Sequence, residues 1–159
     1  MSYQAVILTV SDSCAAGTRT DTSGPAIRAM LENAGFAVQA MQTVPDEEGQ
    51  ISAAIVHACD ILQADLVVTT GGTGLSPRDV TPEATLAVLD REIRAIPVAM
   101  WVEGLKSTPR AMLSRAVAGI RGHTLVLNVP GSEKAARENL GAVVATLDHA
   151  LRMLAGGGR

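Results

Sequence analysis

Aromatic side chains are nearly missing from this chain: one Trp, one Tyr and one Phe make up 2% of its 159 residues. A platform that stacks bases on aromatic rings is thereby excluded. An excess of basic charge is missing too, since 13 Lys and Arg stand against 16 Asp and Glu, a formal net charge of −3. Nucleic acid as a partner, which calls for a basic face, is excluded with it. Cys14 and Cys59 are the only cysteines, and neither stands in a Cys-x-x-Cys or at Cys/His spacing. Neither a disulfide framework nor a structural zinc is expected. No apolar run approaches the roughly 20 residues of a membrane helix, and the short run near the N-terminus has no basic flank. We expect a soluble, cytoplasmic protein with no membrane partner.

What is abundant is aliphatic: apolar residues reach 47% and charged residues 18%. With so few rings, the core must be built from Ala, Val, Leu, Ile and Met, the composition of helices packed on a sheet. A chain of this length buries roughly 70% of its unfolded surface, enough for one domain. Residues 5–10, 37–44, 66–70 and 124–128 are short runs rich in β-branched residues and read as strands. Residues 23–34, 47–62, 81–89, 92–105 and 133–154 repeat apolar positions at spacings of three and four, as helices do. Thr81 would cap the third of these, with Pro82 as its first helical residue. Alternating strands and helices imply right-handed crossovers and a three-layer α/β/α single domain with a mostly parallel sheet. The domain is expected over residues 1–155, with 156–159 a flexible tail.

In such folds ligands sit at the carboxyl ends of the strands, so the loops that follow strands carry the interest. The first, SDSCAAGTRTDTSGP (residues 11–25), ends on Asp21, Thr22 and Ser23 as candidate caps ahead of Pro25. In VVTTGGTGLSPRDVTPEAT (residues 67–85), Gly71, Gly72 and Gly74 can bare their N–H groups to a phosphate, yet Asp79 brings a negative charge to the same place. The loop has no GxxxxGK[ST], and Pro77 breaks GxGxxG, which argues against a kinase-type ATPase and a Rossmann dehydrogenase. The glycines alone also fit a plain turn, and it is their position between a buried strand and a capped helix that favours a binding loop. In VPGSEKAAREN (residues 129–139), Ser132 can cap the last helix, placing its first N–H groups with Lys134 and Arg137 toward an anion.

A carboxylate beside a phosphate is tolerated when a cation stands between them, and Mg²⁺ is usually held by one or two carboxylates plus phosphate oxygens. Asp46, in TVPDEEGQ after the second strand, is the other candidate. Transfer from one phosphate to another needs no general base, because the nucleophile is already an anion. The two aspartates read as metal organisers on this account; alternatively Asp46 caps the 47–62 helix and Asp79 caps a turn. His57, His123 and His149 have no acidic or Cys partner at ligand spacing and are expected to be non-catalytic. Arg78, Lys106, Arg110 and Arg115 are either solvated charges or the positive charge beside a phosphate, Arg78 being nearest the glycine loop.

With TVSDSCAAGTRTDTSGP, VPDE, TTGGTGLSPRDVTPEAT, STPRAMLSRAVAGIRG and NVPGSEKAARENL in hand, the chain resembles the molybdopterin adenylyltransferase family, the MogA/MoaB type of molybdenum cofactor biosynthesis protein. Related domains of molybdenum insertases and competence-damage proteins share the GGTG…RDVTPEA string. The resemblance implies that AMP is transferred from ATP, with Mg²⁺, to the terminal phosphate of molybdopterin, releasing pyrophosphate. By position, Asp46 and Asp79 match the family's two functional aspartates, catalytic and metal-holding. Gly71, Gly72, Thr73 and Gly74, with Ser11, Asp12 and the nearby Arg78, match its nucleotide and pterin phosphate loops, and Pro130, Gly131 and Ser132 its second phosphate loop. Glu133 departs from the pattern, which implies proline or an uncharged residue after the Ser; its negative charge at a helix N-terminus competes with a bound phosphate.

Two other functions fit the resemblance: a molybdopterin carrier without turnover, and an assembly module. Retention of both aspartates favours the enzyme. The apolar residues 97–102, if helical, spread around the helix, so one face must be hidden by a partner subunit or by the last helix and residues 108–116. The resemblance implies a homotrimer, and a transient contact with a molybdenum insertase is expected.

Overall fold

The computed structural model describes residues 2–156; residues 157–159 of the expected tail lie outside the described residues. Six strands form one sheet in the order β2-β1-β3-β6-β5-β4. They are β1 (Gln4–Val10), β2 (Ala37–Val44), β3 (Leu66–Thr70), β4 (Arg91–Glu92), β5 (Ala118–Arg121) and β6 (Thr124–Val129). The pairs β1–β2, β1–β3 and β3–β6 are parallel, while β5 runs antiparallel to both of its neighbours. The mostly parallel α/β expectation holds.

Every residue of β3 and β6 is buried, as befits strands covered on both faces. Side chains alternate between two cores. Ile7, Leu66, Val68, Leu125 and Leu127 meet α2 (Ser23–Asn33), α5 (Ala95–Leu105) and α6 (Glu133–Leu154) through Ile27, Leu31, Met100, Leu140 and Leu147. Val6, Leu8, Val67 and Val126 meet α3 (Glu48–Val56) and α4 (Thr81–Leu86) through Ile51, Ile55 and Ala84. Each fully buried Leu or Ile contributes roughly 1.5–3 kcal/mol by leaving water. These are the three expected layers.

Several boundaries differ from the expectation, each for a local reason. The helix expected over 47–62 is α-helical only to Val56 and continues as a π turn, His57–Ile61. That turn carries Asp60 to Arg121, whose Nη2 donates to Asp60 Oδ2 at 2.7 Å. The helix expected from 92 starts at Ala95, leaving Arg91–Glu92 as an edge strand; Pro97 then falls in the first turn, where a missing N–H costs nothing. Thr81 does not cap α4: Val80 takes that position, and the helix ends at Leu86. The short β5, which turns back into β6 through Gly122 at φ +58°, was unexpected, as were the one-turn α1 (Asp12–Ala15) and the 3₁₀ turn Pro109–Leu113.

From β1 the chain goes outward to β2 and returns on the other side of β1 as β3. That reversal opens a crevice at the carboxyl ends of β1 and β3, the usual ligand position in open α/β sheets.

Candidate active site

Three loops are pressed together at this crevice by glycine. Gly71 has φ +100° and Gly72 φ +70°, the left-handed region that favours glycine. A Cβ on Gly71 would collide with the carbonyl oxygen of Val10 at the end of β1, and one on Gly131 would stand 3.1 Å from Gly71 Cα. The Gly71 N–H donates to Val129 O at 3.1 Å, and the Thr70 hydroxyl donates to Pro130 O at 2.8 Å. The loops after β1, β3 and β6 thus share one floor.

Above it lies a cavity of about 680 Å³. Ser11, Asp46, Gly71, Gly72, Thr73, Gly74, Asp79, Pro130, Gly131 and Ser132 line it, so most of the residues singled out from sequence are brought together. Asp12 and Arg78 do not line it. They pair with each other at its rim, Arg78 Nε and Nη2 each donating to the Asp12 carboxylate at 3.0 Å, and Nη2 also to Glu47 Oε1 at 3.1 Å. None of the three histidines lines the cavity.

The two aspartates flank the glycine loop. A Cβ on Gly72 would stand 3.2 Å from Asp46 Oδ1, and one on Gly74 2.9 Å from Asp79 Oδ2. Asp46 does not cap α3, whose start has no side-chain cap; its Oδ2 accepts instead from the Asp12 N–H at 2.9 Å. Asp79 does close its own turn, Oδ2 accepting from the Ser76 N–H at 2.9 Å, while still facing the cavity. Burial pushes the Asp46 carboxyl above the ordinary carboxylate range, and the charges of Asp12 and Asp79 add to the rise. The hydrogen bonds from Arg78 hold Asp12 below that range. Asp46 is therefore ready to gain from a cation.

Among the described residues no three acidic, His or Cys groups gather as a metal cage. The protein offers a hard cation two carboxylates, which suits a Mg²⁺ that completes its shell with water and phosphate oxygens. Buried Thr81 Oγ1, whose backbone N–H donates to Gly72 O at 3.1 Å, has no hydrogen-bond partner in the protein. This hydroxyl lies directly beneath Gly72 and outside the cavity lining.

The remaining cations divide into scaffold and lining. Arg115 ties the glycine loop to α4: Nε donates to Gly74 O at 2.8 Å, Nη2 to Asp79 O at 2.7 Å and Nη1 to Glu83 at 2.7 Å. Lys106 pairs with Glu103. Ser132 caps α6, its Oγ accepting from the Ala135 N–H at 3.2 Å, but Lys134 and Arg137 do not line the cavity as expected. Arg137 pairs with Glu133 at 3.0 Å, one helical turn on, which partly neutralises the charge that departs from the family pattern. Arg19 and Arg110 do line the cavity, exposed at its edge and without an ion-pair partner among the described residues. Sequence reading missed Arg19, Glu138 and Asn139; the one available signal was Asn139, a polar residue within the buried stripe Ala136, Leu140, Val143, Leu147 of α6.

A family model described as "Probable molybdopterin binding domain" matches residues 6–149. The molybdopterin adenylyltransferase of Helicobacter pylori strain J99 is 38% identical over 154 residues, covering 94% of this chain and 86% of that protein. The chain belongs to the MogA/MoaB-type molybdopterin adenylyltransferase family. The crystal structure of the molybdopterin biosynthesis enzyme MoaB from Thermus thermophilus is 49% identical and superposes with a TM-score of 0.92, covering 97% of each chain. Dictyostelium discoideum gephyrin is 42% identical over 158 residues. The chain spans 22% of gephyrin's length, so this fold also occurs as one part of a larger family protein. Molybdenum cofactor synthesis is the role printed in the names of two further relatives, the cinnamon protein of Drosophila melanogaster and a bifunctional protein of Chlorobaculum tepidum, 40% and 42% identical.

Proposed function

We propose that this protein is a molybdopterin adenylyltransferase that transfers AMP from ATP to the terminal phosphate of molybdopterin. The observation that carries the reading is the placement of Asp46 and Asp79 on either side of a glycine loop, at a cavity floored by three strand-end loops. A terminal phosphate oxygen of molybdopterin attacks the α-phosphorus of ATP. A new P–O bond forms there, the bond from the α-phosphorus to its β-bridging oxygen breaks, and pyrophosphate leaves with that electron pair. No side chain need remove a proton from a nucleophile that is already an anion.

The chain's own part is positioning and charge. The N–H groups at residues 72–74, with that of Gly71 taken by Val129 O, and those at the Ser132-capped start of α6 hold phosphate oxygens. Arg19 and Arg110 neutralise the outer phosphates from the rim. Asp46 and Asp79 would hold Mg²⁺, which when bound supplies charge neutralisation on the phosphates. A carrier would have no use for two carboxylates that repel its ligand, which sets the enzyme above that alternative.

The remaining expectations belong to the same proposal. The reaction runs in the cytoplasm, where the free thiols Cys14 and Cys59 stay reduced. The protein is a homotrimer that hands its product to a molybdenum insertase. The test is direct: purified protein, molybdopterin, ATP and Mg²⁺ release pyrophosphate in proportion to molybdopterin consumed. Binding of both substrates without pyrophosphate would leave a carrier.

A further inference from the structure

A cavity that holds phosphates has little reason to keep an unpaired carboxylate, yet Glu138 is one. It lines the cavity, is half-buried, and has no ion-pair or hydrogen-bond partner among the described residues. Its neighbour Asn139 also lines the cavity and is 5% exposed. The Asn139 amide orientation is set by the carbonyl of Ala135, which can only accept: Nδ2 donates to it at 2.8 Å. Asn139 Oδ1 accepts no hydrogen bond from the described residues. This wall therefore presents a carboxylate and an amide oxygen side by side, an edge made of acceptors.

The edge stands at a defined distance from the phosphate floor. Six residues of α6 separate Ser132 from Glu138, about 9 Å along the helix axis at 1.5 Å per residue. A ligand with its phosphate at the capped helix start thus reaches this edge with a ring system one short linker away. Gly104 closes in beside this edge: a Cβ there would stand 2.9 Å from Ala111 Cβ and 3.8 Å from Asn139 Nδ2, so only a glycine fits next to the Asn139 amide.

We propose that Glu138 and Asn139 read the heterocycle of the acceptor substrate, Glu138 taking the 2-amino and N3–H donors of a 2-amino-4-oxopteridine and so discriminating against adenine. This rests on the adenylyltransferase reading and assigns one end of its cavity. Two adjacent N–H donors match a carboxylate in a bidentate, charge-assisted pair. Adenine offers one donor beside the N1 acceptor, and a lone pair set against a carboxylate is penalised. The pterin therefore lies along α6, which leaves the adenosine of ATP to the part of the cavity away from Glu138.

The test measures Michaelis constants for molybdopterin and ATP separately in the wild type, Glu138→Gln and Glu138→Asp, with pyrophosphate release as the rate. Glu138→Gln keeps the shape and replaces one acceptor by a donor, so KM for molybdopterin should rise about tenfold or more while KM for ATP stays within about twofold. Glu138→Asp, one methylene shorter, should fall between. Equilibrium dialysis against inorganic pyrophosphate reports the phosphate floor independently and should be the same in all three. An unchanged molybdopterin KM, or a rise in the ATP KM instead, overturns the assignment while the adenylyltransferase reading survives. A wild type that binds neither substrate overturns both.

Discussion

Asp12 and Asp46 hold each other: the Asp12 N–H donates to Asp46 Oδ2 at 2.9 Å, and the Asp46 N–H donates to Asp12 Oδ1 at 2.9 Å. This closed ring joins the loops after β1 and β2 across 34 residues of sequence. It uses one oxygen of Asp46 and leaves Oδ1 facing the glycine loop, while Arg78 keeps Asp12 ionised from outside. Asp12 thus acts on the site through Asp46. Asp12→Ala keeps the backbone N–H that reaches Asp46 Oδ2 but removes the carboxylate that accepts from the Asp46 N–H and from Arg78; the loosened loop should lower pyrophosphate release about 10–100-fold and raise the Mg²⁺ concentration for half-maximal rate. An unchanged Mg²⁺ requirement would reduce the ring to a loop staple.

Asp79→Asn should fold normally, retain or even tighten pyrophosphate binding as a repelling charge goes, and lose AMP transfer about a hundredfold or more. Asp46→Asn should do the same, because the two carboxylates serve one cation. Steady-state rates with calorimetric binding of pyrophosphate separate the two effects. Full activity in either variant contradicts the metal-organiser account.

Gly72→Val should fail twice. It forces a β-branched residue to φ +70° and drives its Cβ into Thr81 Oγ1. We expect a lower Tm together with weaker pyrophosphate binding. Gly35→Ala is the control: φ is +95° there with nothing within 4 Å, so strain alone should lower Tm and leave binding intact. Equal binding loss in both variants would mean that the effect at Gly72 is only global destabilisation.

The hydrogen bond from Arg115 holds Glu83 below the ordinary carboxylate range, so its contribution to stability is complete above the unfolded value of about 4.3 and disappears as pH falls through the folded one. Because Arg115 also carries Gly74 O and Asp79 O, acid should loosen the glycine loop as well. Denaturant titrations from neutral pH down to about pH 3 should show wild type more stable than Glu83→Gln at neutral pH, with the gap closing below about pH 4.5. A gap independent of pH would place the effect in packing rather than charge.

Helix α5 buries Pro97, Met100 and Gly104 inside the subunit but leaves Val98, Val102 and Leu105 48%, 57% and 45% exposed on one stripe. The last helix and residues 108–116 leave this stripe uncovered. Gel filtration with light scattering should give a mass near three times the 16.4 kDa of one chain, and Val102→Glu should lower it. A wild-type mass of one chain at micromolar concentration contradicts assembly; a trimer that survives Val102→Glu places the interface elsewhere.

Strands were legible because burial on both faces demands uninterrupted apolar runs, and α6 because its apolar spacing persists through 22 residues. Helix ends were less so: Thr81 has the right chemistry for a cap, but the helix already includes it, with Val80 in the cap position and the Thr81 hydroxyl buried beneath Gly72. The two-residue β4 and four-residue β5 are too short to carry a period, and they exist because β6 offers an edge. Arg78 had the right neighbourhood in sequence and a different partner in space.

By itself the sequence determined the α/β layering, the glycine loop and the presence of two carboxylates in strand-end loops, because periodicity, left-handed backbone and residue type are local properties of a chain. Tertiary structure alone decided that Asp46 and Asp79 flank the same glycines, that Asp12 locks Asp46, and that Glu138 and Asn139 share their cavity. Those relations join residues tens of positions apart, and only the crossover from β2 over β1 to β3, set by burial of both sheet faces, brings their loops together.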